Sequence, residues 1–479
     1  MNRYTVLKEA IRATTPYSLL PIPYSLFPTP YSLLPIPYSL FPTPYSLLPI
    51  PYCLFPTVYS LLPTAYSLFP TPYSLLPIPY SLFPTPYSLL PIPYSLFPTP
   101  YCLLPTALFV LLCFLPSFIL SWALCYVVRY AATRFGLIDA PDESAVSEQN
   151  HKTHKTPTPL GGGLAIYFAV LVTVLAALIA ANYADVVKTF LPANLADLLT
   201  VHASGIVASS GKPLFLLTMC GILVGLGLWD DAKNLNWRFR LLVEFSVAIA
   251  TVAAGWRITL FLGDSPAMTA LSWVISVFWV VGLINSFNML DNMDGLSAGV
   301  AAICAAFLAG FVLTQPEPGG DVQWFVGGFF LVLTGAGCGF LVHNRPPAKL
   351  FMGDCGSYTL GYLLATGAIS AVYVGQDAPC QAVLAPLFVF AIPLYDMVSV
   401  IIRRLAQGKS PFVGDANHLS HRLVRMGLSR PAAVMTIHLL TVACAAVALI
   451  LPGTDVKSAL ACAGIVLSII VVLTLLDRK

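Results

Sequence analysis

Residues Asn285 to Gly295 read NSFNMLDNMDG, and this stretch sits between two apolar runs, Ala270 to Leu283 before it and one beginning at Leu296 after it. Two carboxylates, Asp291 and Asp294, and two amides, Asn288 and Asn292, stand at that border. Ionisable groups at the edge of membrane-length segments are costly and mark functional sites by default. Asp291 and Asp294 are three apart and Asn288 lies three earlier, so a continuing helix would put all three on one stripe. A polar turn between spans leaves such a stripe unexplained.

Composition sets the frame. Of 479 residues 57% are hydrophobic and 9% charged, against about a quarter charged in soluble domains, so the chain reads as an all-α polytopic membrane protein. A net charge of +3 with no basic patch argues against nucleic-acid binding. The eleven cysteines fall mostly inside apolar runs and form no CxxC pair, so they read as small hydrophobes rather than disulfides or zinc ligands.

Two regions follow, 1–106 and 107–479. From Pro16 to Thr106 the chain repeats PYSLLPI/PYSLFPT with a period of seven, about thirteen times. Proline recurs in nearly every unit at about 3 kcal/mol per interior helix position, which excludes a coiled coil. The expectation is irregular or polyproline-like chain carrying no chemistry. The repeat also looks like a translated tandem DNA repeat, with the true start expected near Leu103 to Val110.

Beyond it, runs long enough to cross a bilayer predict about eleven spans. They are Ala107–Val128, Gly162–Ala181, Pro213–Leu228, Leu241–Gly255, Ala270–Ile284, Leu296–Leu313, Trp324–Val342, Tyr358–Val374, Val383–Ile402, Pro431–Leu451 and Ser458–Leu475. Threaded alternately, they leave 17 basic residues on one side and 4 on the other, which makes the first side cytoplasmic. Every polar motif falls on that side.

The first such loop, HKTHKTPTPLGGG (His151 to Gly163), sets Lys155 before a glycine-rich helix start, a pattern suited to a phosphate. A flexible basic loop that only sets topology reads equally well. The second, WDDAKNLNWRFR, joins Asp230 and Asp231 to Lys233, Arg238 and Arg240. Magnesium binds through one or two carboxylates plus substrate phosphates, and adjacent carboxylates raise one pKa toward that of a general base. The bland reading is a helix cap beside topogenic arginines. In the fourth loop, HNRPPAKLFMGDCGS, Asp354 lies between Gly353 and Gly356, where backbone can approach a ligand, and Phe351 could stack on a base or simply pack. In the fifth, His418 and His421 precede Arg422 and Arg425; they suit a pyrophosphate better than zinc, and otherwise read as an interfacial helix.

Together and in order, HKTPTPLGGGLAIY, GLWDDAKNLNWRFRLLVE, NSFNMLDNMDGLSAG, KLFMGDCGSYTLG and DANHLSHRL resemble the polyprenyl-phosphate N-acetylhexosamine-1-phosphate transferases, most closely the bacterial branch acting on UDP-GlcNAc and undecaprenyl phosphate. The resemblance covers about residue 130 to the C-terminus. It implies a multi-pass enzyme of the bacterial plasma membrane with a cytoplasmic active site. A prenyl phosphate would attack the β-phosphate of a UDP-sugar and release UMP, with magnesium, or manganese in its place, as cofactor. It implies Asn288 and Asp354 as metal ligands, and Asp230 and Asp231 as the pair handling the prenyl phosphate, with Asp291 grouped beside them as catalytic. Asp294 and Phe351 would contact uracil; Lys155, Arg240, His418, His421 and Arg422 would contact pyrophosphate or sugar. The expected partners are the UDP-sugar, the polyprenyl phosphate and membrane lipid, and a homodimer is allowed. The family often reads HLHHRL where this chain has Ser420, which leaves the sugar open. Phospho-MurNAc-pentapeptide transferase is the nearer alternative. A membrane transporter is the alternative from another class, and it would need ionisable groups near mid-span.

Overall fold

The computed structural model describes residues 100–139, 157–259, 265–314, 322–373, 380–411 and 417–476. The proline-rich repeat up to residue 99 and Lys155 lie outside the described residues. Contacts divide the chain into Met1–Leu108 and Phe109–Lys479, and everything below concerns the second unit, whose first helix begins nine residues earlier at Pro100.

Its long helices are α1 (Pro100–Phe135), α2 (Gly162–Asn182), α3 (Ala193–Ala208), α4 (Gly211–Lys233), α5 (Trp237–Ala253), α6 (Pro266–Leu290), α7 (Leu296–Thr314), α8 (Trp324–Asn344), α9 (Asp354–Ser370), α10 (Ala391–Ala406), α12 (Arg430–Ile450) and α13 (Val456–Leu476), with the short α11 (Leu419–Arg425) between α10 and α12. A two-residue antiparallel pair, Ile138–Asp139 with Thr158–Pro159, clips together the ends of the loop that holds Lys155.

Each of the eleven predicted spans coincides with helix, but not all are whole spans. Among the described residues eight helices are long and apolar enough to cross a membrane, and a ninth span results if one bent pair is counted once. That pair is Gln381–Val389 and Ala391–Ala406, bent by 65°. Pro393 falls in the first turn of α10, where its missing N–H and its ring are tolerated, whereas a continuous helix would have put it mid-span. The remaining two predicted spans are α5 and α9, each of 17 residues. That length rises about 25 Å, somewhat less than the hydrocarbon core. The helix α3 is one that periodicity did not single out; it lies between the second and third predicted spans.

Hydrogen bonds between loops sort the bundle into two ends. At one, Trp256 Nε1 donates to Ser370 Oγ (2.9 Å), Gln323 Nε2 to the Val372 carbonyl (2.8 Å) and Gln381 Nε2 to the Thr454 carbonyl (2.6 Å). At the other, Phe351 N donates to the Pro159 carbonyl (2.8 Å), Asp354 N to Asp231 (2.9 Å) and Ser420 Oγ to Asn292 (2.5 Å). Both α5 and α9 therefore run from end to end despite their length. Apolar α7, α8 and α9 are the most buried helices, with Phe311, Phe330, Phe340, Tyr358 and Tyr362 fully enclosed. They form the rigid centre on which the polar end is built.

Candidate active site

The site begins where α4 ends. Asp230 is buried; one oxygen accepts the Leu235 amide (2.7 Å) and the other pairs with Arg240 (2.5 Å), so this carboxylate closes the turn between α4 and α5 and fixes the guanidinium. Asp231 has a different task. Its Oδ1 accepts the Asp354 amide at 2.9 Å, while its buried Oδ2 has no hydrogen-bond partner. The adjacent pair is thus one structural carboxylate and one held in reserve.

From α6, Asn288 Nδ2 reaches Asp354 Oδ1 (2.7 Å) and Ser357 Oγ (3.1 Å). Arg240 and the Tyr358 hydroxyl both approach Asp354 Oδ2 at 3.4 Å. Four separate segments therefore meet at Asp354: the end of α4, the start of α5, the end of α6 and the start of α9. Gly353 makes the junction, with φ +74° and ψ 172°, a conformation only glycine adopts readily; a Cβ there would meet Asp231 Oδ2.

The stripe expected for Asn288, Asp291 and Asp294 does not form. Helix α6 stops at Leu290, where Asp291 N turns back to the Asn288 carbonyl (3.2 Å) and Asn292 N to the Leu290 carbonyl (2.9 Å). Asp291 and Asp294 lie in the turn before α7, so their meeting is made by a loop and not by helical spacing. Asp294 Oδ2 accepts the Ala348 amide (2.9 Å), tying this turn to the segment that leads to Phe351. Asp291 is half-buried, and burial, reinforced by the Asp231 and Asp294 carboxylates, pushes its carboxyl up to about 8.

The glycine-rich start of α2 also departs from its phosphate reading. Gly162 N donates to the Phe351 carbonyl and Gly163 N to the Met352 carbonyl, each at 2.9 Å, so these amides are already satisfied. A side chain at Gly163 would overlap the Gly356 backbone. The glycines let α2 dock against the 351–356 segment and so place Phe351 and Asp354.

The histidine segment is held from behind. Asp396 of α10, fully buried, accepts His418 Nδ1 (2.9 Å) and the Leu419 amide (2.6 Å), with Arg422 at 3.9 Å. Arg422 is buried, bonds Ser399 Oγ (3.0 Å) and lies over the Tyr395 ring. It anchors the segment to α10. His421 is partly exposed, its ring 6.5 Å from that of His418.

The sequence singled out every carboxylate at the junction but gave no role to Tyr358, Asn285 or Asp396. Asn285 bonds buried Glu244, one helical turn beyond Arg240. The spacing of four between Arg240 and Glu244 was the available signal. In the sequence Asp396 is only a lone charge toward the end of the predicted span Val383–Ile402.

Comparison with known proteins agrees with this geometry. Residues 213–372 match the profile of glycosyl transferase family 4, and these residues hold the whole Asp230–Asn288–Asp354 junction. A Mycobacterium tuberculosis decaprenyl-phosphate N-acetylglucosaminephosphotransferase is 31% identical over 65% of this chain and 75% of its own length. The chain belongs to glycosyl transferase family 4. Other members similar to it are a probable undecaprenyl-phosphate N-acetylglucosaminyl 1-phosphate transferase of Bacillus subtilis, 29% identical over 69% of this chain and 82% of that protein, and the Escherichia coli undecaprenyl-phosphate alpha-N-acetylglucosaminyl 1-phosphate transferase, 27% identical over 66% and 77%. Family 4 membership and the long apolar helices together make this a multi-pass membrane protein.

Proposed function

We propose that the protein transfers N-acetylglucosamine 1-phosphate from UDP-GlcNAc to a polyprenyl phosphate such as undecaprenyl phosphate, on the cytoplasmic face of a bacterial plasma membrane. The observation that carries this reading is the convergence of Asp231, Arg240, Asn288 and Asp354 from four segments at one end of an apolar bundle. A water-soluble nucleotide and a lipid phosphate can meet only at such an end. The names of its family 4 relatives supply the substrate class.

The residues present suit magnesium. Hard oxygen donors gather at Asp354, Asn288 and Asp231, and the buried Asp231 Oδ2 has no protein partner. Among the described residues no three His, Cys, Asp or Glu side chains close on a single point, so an ion here would complete its shell with the Asn288 amide oxygen, water and substrate phosphate. When bound, magnesium would offset diphosphate charge and favour in-line attack; manganese could substitute.

The chain's own groups do the rest. Arg240, fixed by Asp230, sets a positive charge beside Asp354 that attracts the anionic donor. Asp231, the carboxylate of the pair that does not close the α4–α5 turn, is assigned to take the proton from the acceptor phosphate. That phosphate's oxygen bonds the sugar-bearing β-phosphorus, the bridge to the α-phosphate breaks, and UMP leaves with the bridging oxygen. Phosphoryl transfer needs mainly such positioning and charge stabilisation. Asp294, Phe351 and Lys155 are assigned to the nucleotide end, as uracil and phosphate contacts.

The test is direct. Membranes holding the folded protein, given labelled UDP-GlcNAc, undecaprenyl phosphate and magnesium, should yield lipid-linked label and UMP. Absence of lipid-linked label with every UDP-sugar tried would overturn the reading.

A further inference from the structure

The buried Asp396 lies outside the Asp354 junction, yet it fixes the geometry of the histidine segment. It accepts the Leu419 amide at Oδ1 (2.6 Å) and pairs with His418 Nδ1 at Oδ2 (2.9 Å). A carboxylate can only accept, so the His418 ring must present Nδ1–H to it. The other ring nitrogen, Nε2, then carries the lone pair in the neutral ring and an N–H in the imidazolium. Two residues on, buried Ser420 donates its hydroxyl to Asn292 Oδ1 at 2.5 Å. Asn292 follows Asp291 directly, and its own Nδ2 is tied to the Met289 carbonyl (2.9 Å) at the end of α6. The histidine segment is thus gripped twice, from α10 behind and from the Asp291 turn in front.

We propose that Asp396 is a positioning residue for the transferase site: it sets the tautomer and aim of His418, and the Ser420–Asn292 clasp seats the Nε2 edge beside the Asp291 turn to receive the diphosphate-sugar end of the donor. The inference rests on the proposed transfer reaction for its ligand, but the tautomer and the clasp are properties of the chain itself. Asp396→Asn makes the consequence sharp. The amide oxygen stays with the Leu419 N–H, and the amide N–H₂ now faces Nδ1. The ring must answer with an acceptor there, which moves its proton to Nε2. The variant keeps size and fold while reversing the edge shown to substrate, as carboxylate-to-amide changes behind a catalytic histidine do.

Two measurements on the full chain test this. The first is ¹⁵N-histidine magnetic resonance in lipid nanodiscs at about pH 9, where an ordinary imidazole is neutral, with the His418 signal assigned by its loss in His418→Gln. The wild type is expected to show Nδ1–H and Asp396→Asn to show Nε2–H. An Nε2–H ring in the wild type overturns the proposal whether or not the enzyme turns over, and needs no variant of Asp396 to fold. The second is kinetic. Asp396→Asn is expected to raise the donor KM about tenfold while the acceptor KM stays within about twofold. It should cost nothing further in a His418→Gln background, because it acts through that ring. Ser420→Ala should shift the donor KM in the same direction. Losses that multiply in the double variant, or that fall equally on both substrates, overturn the positioning role. A wild type with the expected tautomer but no transfer would instead count against the proposed function.

Discussion

Asp354 shares its carboxylate three ways, with Asn288 on Oδ1 and with Arg240 and Tyr358 on Oδ2, while its amide is held by Asp231. Removing the carboxylate unlinks the start of α9 from α5 and the end of α6, while the backbone amide still holds Asp231, and it leaves the apolar core untouched. Asp354→Ala should therefore express and fold normally yet lose turnover. Retention of more than about a tenth of wild-type activity, a barrier change of only ~1.4 kcal/mol, would remove Asp354 from the site. Asp291 makes a pH-dependent prediction. Its folded carboxyl is raised from an ordinary 3.8 to about 8, so the folded state prefers it protonated. The corresponding stability is fully present below about pH 4 and is lost as pH rises through about 8. Asp291→Asn stays neutral throughout, so it should gain thermal stability relative to wild type between those limits. Melting curves of the two proteins in detergent that run parallel from pH 4 to 9 would contradict this. Excess magnesium should shrink the difference, because a cation nearby favours the charged carboxylate.

At the scale of elements, glycine decides which helices may touch. Helix α2 meets the 351–356 segment backbone to backbone, and Gly163 is the point of closest approach, facing Gly356. Gly227 of α4 packs on Cys355 of the same segment in the same way. Gly225, two residues earlier, looks onto open space. Gly163→Ala should thus lower the yield of monodisperse protein and abolish transfer, whereas Gly225→Ala should leave both near wild type; equal behaviour of the two in gel filtration would show that this docking is not what places Asp354. Such contacts explain what the sequence could and could not say. Apolar length located every long helix except α3, since burial in lipid or core imposes composition directly. The carboxylates at the junction were legible because charge between spans has no bland explanation. Which oxygen serves which partner was not legible: Asp230 closing a turn and Asp231 facing the site is a matter of one residue's rotation on α4. The break at Leu290 was equally hidden, because Asn288, Asp291 and Asp294 keep helical spacing up to the turn that ends it. The grip of Asp396 on His418 joins residues 22 apart, past the end of α10, which no local pattern encodes.

For the molecule as a whole, the two ends of the bundle carry the sidedness argument. The loops joined to the site carry all of the 17 basic residues but Arg478 and Lys479, and the loops joined through Trp256, Gln323 and Gln381 carry two of the other 4, Arg257 and Lys457. The hydrogen bonds divide the loops without reference to charge, and the charges divide them without reference to contacts. The agreement requires α5 and α9, with 17 residues each, to be complete crossings, and it requires the bent pair to count as one. Had any of these three turned back, the loops after it would have changed ends and the charge bias would have dissolved. Positive charge stays on the cytoplasmic side during insertion, so the proposed orientation sets the site on the side where a nucleotide donor is made. Alkaline phosphatase, active only outside the cytoplasm, fused after Lys188 or Lys457 should therefore be active, and fused after Lys233 or Arg345 inactive. The fusion after Arg345 is the discriminating one, because α5 and the crossings beyond it precede this point. Activity there would mean that α5 fails to cross, and the Asp231–Asp354 contact would then have to be made from opposite sides of the membrane, which the 2.9 Å bond between them forbids.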